Sequence, residues 1–226
     1  MIPAIGCDGG LYSKIVPALR GVANITTVIA DRNSFADCVE QVLADAPSAF
    51  TVLGTSFGGR VAMQVVLAAP NRVTGLVVIG SAPGPTPDLQ AGLRRSARLR
   101  GGEFAAVIEE MAAIISHLPG PNGPSTRQAF IAMAHRQGAE MMARQSDALA
   151  NRGDLRPRLS EISCPALMLW GAHDQFVAAR DGLALAAAVP RGRFVEIADC
   201  GHFPPLEAPE ATAGAICHWL ADSGLT

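Results

Sequence analysis

The chain has 226 residues, 49% of them hydrophobic and 17% charged, with a formal net charge of −2. That length buries a full core as one domain with room for an insertion, and the near-neutral, scattered charge leaves no footprint for nucleic acid or an anionic membrane. The five cysteines are odd in number, widely spaced and without a Cys-x-x-Cys pair, which fits reduced thiols rather than a disulfide framework or a zinc site.

The opening Met1-Ile2-Pro3-Ala4-Ile5-Gly6 has neither a positive n-region nor a long apolar h-region. No apolar run reaches the roughly 20 residues of a membrane span, so the expected compartment is the cytoplasm. In chain order, apolar runs at 2–5, 25–30, 50–53, 75–79, 166–170 and 193–197 read as buried parallel strands. Between them, stretches at about 34–46, 57–68, 178–188 and 209–221 read as helices, and Pro47, Pro70 and Pro190 stand just beyond the first three as stop signals. This alternation predicts an α/β fold, a mainly parallel sheet of about six strands flanked by helices. From 82 to 163 the pattern changes to a proline-rich opening (Pro83, Pro85, Pro87) followed by helical periodicity without a convincing strand. The expected organisation is therefore a core of 1–81 and 164–226 carrying a helical cap insertion at 82–163. Within the insertion, the turn-dense run Leu118-Pro119-Gly120-Pro121-Asn122-Gly123-Pro124 separates one helical pair from another long helical stretch.

The candidate chemistry begins at Val52-Leu53-Gly54-Thr55-Ser56-Phe57-Gly58-Gly59, a Gly-x-Ser-x-Gly turn between an apolar strand and an apolar helix. A sharp strand-to-helix turn leaves no room for a Cβ two residues to either side of the serine, and Gly54 and Gly58 fill those places. A serine hydroxyl is a poor nucleophile at neutral pH, so Ser56 needs a base, and the base needs an acid to fix its tautomer. After the run at 166–170 comes Gly171-Ala172-His173-Asp174, and after the run at 193–197 comes Ala198-Asp199-Cys200-Gly201-His202. Loops at the carboxyl ends of parallel strands open to one edge, which brings Ser56, Asp174 and His202 toward a common crevice.

With these residues the chain resembles the α/β-hydrolases, whose chain order is also Ser, Asp, His. It is similar to their bacterial esterase-like branch, in which Cys-Asp replaces the usual His-Gly after the first core strand. The matching stretches are Ile5-Gly6-Cys7-Asp8-Gly9-Gly10-Leu11-Tyr12, the turn around Ser56, Cys164 through Asp174, and Asp199-Cys200-Gly201-His202 followed by Pro205-Leu206-Glu207-Ala208-Pro209. The resemblance implies Ser56 as nucleophile, His202 as general base and then acid, and Asp174 as orienting carboxylate. It also implies, by position, the backbone N–H groups of Gly9 and Phe57 as oxyanion donors. Relative to larger members the chain starts at their third strand, so the first antiparallel hairpin is expected to be absent.

Each residue also has a plainer reading. Ser56 in a glycine-rich turn fits a phosphate loop, but the Lys-Ser/Thr ending and the dinucleotide spacing are missing. Asp174 serves equally as a helix N-cap, and Asp199 is a rival acid that lies too near His202 in sequence to reach its far nitrogen easily. Cys7 and Cys200 stand beside the site but read as buried thiols, and Met111, Met133, Met141 and Met142 read as core packing. Arg94, Arg95, Arg98 and Arg100 form a solvated basic face or a contact for a carboxylate. His117, His135 and His218 show no ligand spacing, so no metal is expected, and no cofactor is required. The expected function is hydrolysis of a small carboxylic ester through an acyl-enzyme, with the substrate a small molecule. The same triad also serves carbon–carbon bond hydrolases and acyltransferases, and the reading from another class is a non-catalytic ligand-binding sensor. Cap residues rich in alanine, methionine and isoleucine point to short or medium acyl groups.

Overall fold

The computed structural model describes residues 1–86 and 88–225. Pro87, the last of the three prolines expected to open the insertion, lies outside the described residues. In chain order the elements are a 3-10 turn at Gly9–Tyr12, α1 (Val16–Leu19), α2 (Phe35–Asp45), β1 (Phe50–Thr55), α3 (Phe57–Ala68) and β2 (Val73–Ile79). They continue with α4 (Leu89–Arg100), α5 (Phe104–Ala112), α6 (Gly123–Gln137), α7 (Ala139–Ala150) and a 3-10 segment at Arg156–Glu161. The chain closes with β3 (Ala166–Gly171), α8 (Ala179–Ala188), β4 (Gly192–Ile197), α9 (Pro204–Glu207) and α10 (Pro209–Asp222).

The strands form one parallel sheet in the order β1-β2-β3-β4. Helices cover its central strands on both faces, so their sequences are apolar throughout rather than alternating. In β2, Leu76, Val77, Val78 and Ile79 are all buried, and so is every residue of β3. Each valine, leucine, isoleucine or methionine among them contributes roughly 1.5–3 kcal/mol by leaving water. Trp170 at the end of β3 is fully buried and donates its indole N–H to the Val177 carbonyl at 2.9 Å, which ties the loop after β3 back onto its own strand.

Two of the six predicted strands are realised in a reduced form. Ile2 makes a single parallel bridge to Gly54, donating to the Leu53 carbonyl at 2.8 Å and accepting from Thr55 at 3.1 Å. Met1 in turn donates to Thr26 and accepts from Val28, again with parallel spacing. The stretch 2–5 therefore lies beside β1, and 25–30 lies outside it against Met1, both as extended segments without a full ladder. Pro3 has no N–H to continue the pairing, and Gly6, at φ 69°, turns the chain away.

Between β2 and β3 stand α4 to α7. The turn-dense stretch around 118–124 separates α4 and α5 from the later helices of the insert, as its composition predicts. The long helical stretch beyond it is divided in two at Gly138, whose φ of 81° ends α6 and starts α7. The helices α4 and α7 pack closely because Gly92 meets Ala150, where a Cβ on residue 92 would come within 2.8 Å of the alanine methyl. Arg60 of α3, 1% exposed, fastens this insert to the core: its guanidinium donates to the Ala82, Pro83 and Gly84 carbonyls where the chain leaves β2 and to the Gly153 carbonyl where it returns.

Candidate active site

Ser56 sits at the junction of β1 and α3 with φ 53° and ψ −114°, a conformation that costs a non-glycine residue about 1–3 kcal/mol. The turn is pinned by the Ser56 N–H, which donates to the Ile79 carbonyl at 2.7 Å, and by the Ser56 carbonyl, which accepts from Arg60 at 3.1 Å. Both flanking glycines are required. A Cβ at Gly54 would collide with the Gly58 carbonyl, and one at Gly58 would collide with the Ile2 carbonyl, backbone that cannot move aside. The third glycine, Gly59, faces the Ser81 side chain with a virtual Cβ contact of 2.7 Å.

The loops after β3 and β4 bring Asp174 and His202 together. His202 Nδ1 lies 2.7 Å from Asp174 Oδ2, and both side chains are shut off from solvent. The other carboxylate oxygen, Oδ1, accepts from the Phe176 and Val177 amides at 2.8 and 3.0 Å and so orders the loop before α8; Asp174 is not the N-cap expected of it, because that helix begins at Ala179 with Ala178 at the cap position. An acid held this way keeps Nδ1 protonated and presents Nε2 as the basic nitrogen. Asp199 makes no hydrogen bond to the His202 ring. Gly80, the residue after β2, packs against the pair at φ 57°, with a virtual Cβ 3.1 Å from both Asp174 Oδ2 and His202 Nδ1. Because Ser56 bonds to Ile79 next door, the serine turn and the His–Asp pair flank the same point on the sheet edge. The Ser56 hydroxyl makes no hydrogen bond to His202 in this structure, so the pair and the serine adjoin without the last link being closed; apo sites often show such loose geometry.

Two supporting residues have no role assigned from the sequence, although Glu207 lies in one of the stretches that carry the family resemblance. Glu207, 4% exposed, accepts from the Gly201 amide at 2.8 Å, the Phe203 amide at 3.0 Å and the His117 amide at 2.7 Å. One buried carboxylate thus holds the residues on both sides of His202 and joins them to the loop between α5 and α6. The available signal was an acidic residue inside the apolar run Phe203-Pro204-Pro205-Leu206-Glu207. Gln145 of α7, also buried, accepts from the Gly6 amide at 2.9 Å and donates to the Ala30 carbonyl at 2.8 Å, fixing the loop after the first extended segment.

That loop places the candidate oxyanion donors. Phe57 opens α3, where its amide has no partner within the helix. Gly9 opens the 3-10 turn, and its nearest side chain is Thr27, on the outer extended segment. Ile5 has an equally unpartnered amide and comes shortly after Ile2 and Pro3, whose carbonyls touch Gly58 of the serine turn. Asp8, beside Gly9, is bound by Arg136 of α6 at 2.8 Å. Burial raises the Asp8 carboxyl, but the hydrogen bonds from Arg136 and the Gly10 amide outweigh it and hold the group below the ordinary aspartate value.

A cleft of ≈ 390 Å³ opens between α4 and α5, lined by Arg95, Val107, Met111, Ile114 and Phe176 among others. Phe176 joins it to the site, its ring 4.8 Å from that of His202. A larger hollow of ≈ 510 Å³ lies at the opposite ends of the strands, against Phe50, Thr51 and Thr74, and contains none of the candidate residues. The basic face of α4 is largely neutralised: Arg94 pairs with Asp88, Arg98 with Glu103 and Glu110, and Arg100 with Glu140 and Asp147. Arg95 instead donates to Ser146 at 2.9 Å. Met111, Met133, Met141 and Met142 are buried in the packing of the insert, with Met142 against Gly6. Cys7 and Cys200 are buried, and burial pushes both thiols up and away from the reactive thiolate form.

The sequence profile of the alpha/beta hydrolase family matches residues 6–215. The chain belongs to that family. Among its curated relatives in the alpha/beta hydrolase family is the pimeloyl-[acyl-carrier protein] methyl ester esterase of Edwardsiella ictaluri, 30% identical over 194 residues, covering 82% of this chain and 75% of the relative. Another is the 2-hydroxy-6-oxononadienedioate/2-hydroxy-6-oxononatrienedioate hydrolase of Klebsiella pneumoniae, 28% identical over 180 residues, 75% of this chain and 62% of the relative. Among solved structures, a thermophilic esterase from Thermogutta terrifontis superposes with a TM-score of 0.88 at 23% identity, covering 98% of this chain and 88% of that one, which shows the fold. No helix among the described residues is long and apolar enough to cross a membrane.

Proposed function

We propose that this alpha/beta hydrolase cleaves a small carboxylic ester through Ser56, His202 and Asp174. The observation that carries the reading is the solvent-free His202–Asp174 contact of 2.7 Å packed on Gly80, beside the one turn where a serine is held at positive φ. Ser56 Oγ attacks the ester carbonyl as its proton passes to His202 Nε2. The C–O bond to the alcohol then breaks, and the alcohol leaves with that proton. Water repeats the sequence on the acyl-enzyme and frees the acid. Asp174 stays ionised throughout, stabilising the imidazolium.

The oxyanion rests on two main-chain amides. Phe57 supplies one. For the second, the Gly9 amide is the donor expected by position, and the Ile5 amide is a rival because it follows Ile2 and Pro3, whose carbonyls pack on Gly58 of the serine turn. Each donor stabilises the transition state by about 3–4 kcal/mol. The helical insert from 82 to 163 acts as the cap, and the cleft beside Phe176, lined by Val107, Met111 and Ile114 together with Arg94, Arg95, Arg98 and Glu110, admits a small substrate. A cytoplasmic site of action is consistent with the sequence. The ester hydrolase names among the relatives support this reading over carbon–carbon cleavage or acyl transfer.

A fluorophosphonate probe tests it. The expected result is one label, on Ser56, lost in Ser56→Ala and weakened in His202→Ala; a folded protein that takes no label would sink the serine-hydrolase reading and favour a ligand sensor. A series of nitrophenyl esters then reads the cleft: turnover is expected to be best with short or medium acyl groups, and a rate that climbs steadily to long chains would contradict that.

A further inference from the structure

His117, His173 and Asp199 are far apart in sequence and take no part in the hydrolytic mechanism, yet their ligand atoms all lie within 4.8 Å of one another. Each comes from a different loop. His117 stands between α5 and α6 in the insert, His173 directly precedes Asp174, and Asp199 lies on the loop after β4 that carries His202. The three backbones are fixed independently of the side chains. The His117 amide donates to Glu207 at 2.7 Å, the His173 amide donates to the Cys200 carbonyl at 2.8 Å, and Asp199 holds φ 50° with its carbonyl against Gly120. His173 and Asp199 are exposed and His117 is half-buried, so the group faces solvent at the rim of the site.

We propose that this group is a binding site for a late first-row divalent ion, Zn²⁺ before others, which clamps the helical insert to the two loops carrying Asp174 and His202. Two imidazoles and one carboxylate, with water completing the shell, suit Zn²⁺, Co²⁺ or Ni²⁺ and are a poor set for Mg²⁺ or Ca²⁺, which take oxygen ligands. The two rings lie parallel with centroids 3.9 Å apart and planes 10° apart. Parallel rings do not aim their lone pairs at one point, and ligand atoms around tetrahedral zinc stand about 3.3 Å apart, so one ring must turn about its Cβ–Cγ bond. That torsion is soft, and the exposed His173 ring turns into solvent without moving backbone. The site was invisible to spacing arguments because its ligands come from three separate loops that only the fold brings together.

The ion-binding claim stands apart from the ester-hydrolase reading, while its effect on turnover rests on it. The test uses protein free of any polyhistidine tag, treated with EDTA and dialysed, and titrated with Zn²⁺ by calorimetry. The expected result is one equivalent bound by the unmodified chain, at least about tenfold weaker binding in His173→Ala and in Asp199→Asn, and no change in His218→Ala, whose ring pairs with Asp222 on α10. Asparagine tolerates the left-handed backbone at 199, so that variant keeps the loop. At a hundredfold excess over Kd, Zn²⁺ is expected to raise Tm by about 5–10 °C in the unmodified chain and not in His173→Ala. Absence of binding, or isotherms unchanged by both ligand variants, would overturn the site. Zn²⁺ is also expected to slow ester turnover reversibly in the unmodified chain alone; binding that leaves turnover unchanged would overturn the clamp while leaving the serine-hydrolase reading intact.

Discussion

Glu207 offers the sharpest test of how the site is held, because it touches no reacting atom yet braces the loop on both sides of His202. Replacing it by alanine orphans three amides, of which Gly201 and Phe203 are buried and His117 is partly so. A buried donor left without a partner costs about 1–3 kcal/mol, and removing the desolvated carboxylate returns part of that, so the net loss for Glu207→Ala is about 3–5 kcal/mol. With a urea m-value of about 2–3 kcal/mol/M for a chain of this size, the unfolding midpoint drops by about 1–2 M. Glu207→Gln separates stability from positioning. Its one carbonyl oxygen can serve Gly201 and His117, but its amide then meets the Phe203 N–H donor to donor, so a smaller loss of about 1–2 kcal/mol is expected. If the ring of His202 shifts with its loop, kcat for a nitrophenyl ester falls about 10–100-fold in the glutamine variant while KM changes little. Equilibrium urea unfolding and steady-state kinetics on both variants measure this. An alanine variant with the parental midpoint would refute the reasoning, and a glutamine variant with the parental kcat would refute the positioning role.

The same geometry gives two further outcomes. Gly80→Ala puts a methyl 3.1 Å from Asp174 Oδ2 and His202 Nδ1 on a residue at φ 57°, so turnover is expected to fall more than stability, which loses about 1 kcal/mol to the left-handed backbone; equal kcat in the two proteins would exclude the contact. The Asp8–Arg136 tie links the loop of Gly9 to α6, and its carboxyl is held below the ordinary value, so it contributes stability above the unfolded aspartate pKa that is lost as pH falls through the folded one. The gap in thermal midpoint between the parent and Asp8→Asn is therefore expected at pH 7 and to close in strong acid. A gap that stays constant down to pH 2 would show that the charge is not what matters.

The parts of the site that were legible in the sequence are those encoded locally. Gly54, Ser56 and Gly58 lie within one turn, and the steric reason for each glycine is contained in that turn. Asp174 and His202 were legible because each comes in the loop just after a parallel strand, β3 fully buried and β4 buried only at Ile197, and parallel topology alone sends both loops to one edge. The hidden parts depend on pairings between distant segments. Gln145 reaches Gly6 and Ala30 across most of the chain, and Glu207 was an unexplained acid until the fold placed three amides around it. The strand reading overshot at 2–5 for a related reason: apolar content predicts burial, which is correct for Ile2, Ala4 and Ile5, but a ladder also needs N–H groups, and Pro3 withholds one.

The insert is built to be positioned from below rather than to float. Burial and the nearby Arg152 bring the Arg60 guanidinium down to about 10, so it remains charged at neutral pH, and it directs that charge at carbonyls of both connections to the core. Arg60 lies one helical turn beyond Ser56 on α3 and stacks near Phe35, whose ring in turn packs on Phe57 at 5.2 Å. The helix that presents the serine is therefore the same body that sets where the insert begins and ends. Gln145 and Arg136 reach from the insert to the loop of Gly6 and Asp8, and Glu207 joins the His202 loop to the insert's own loop at His117. The insert and the loops of the proposed catalytic residues are thus joined through the same few polar contacts, so on the proposed reading, exchanging the insert for that of a relative without Gln145, Arg136 and a partner for Glu207 is expected to lower kcat as well as change the choice of ester.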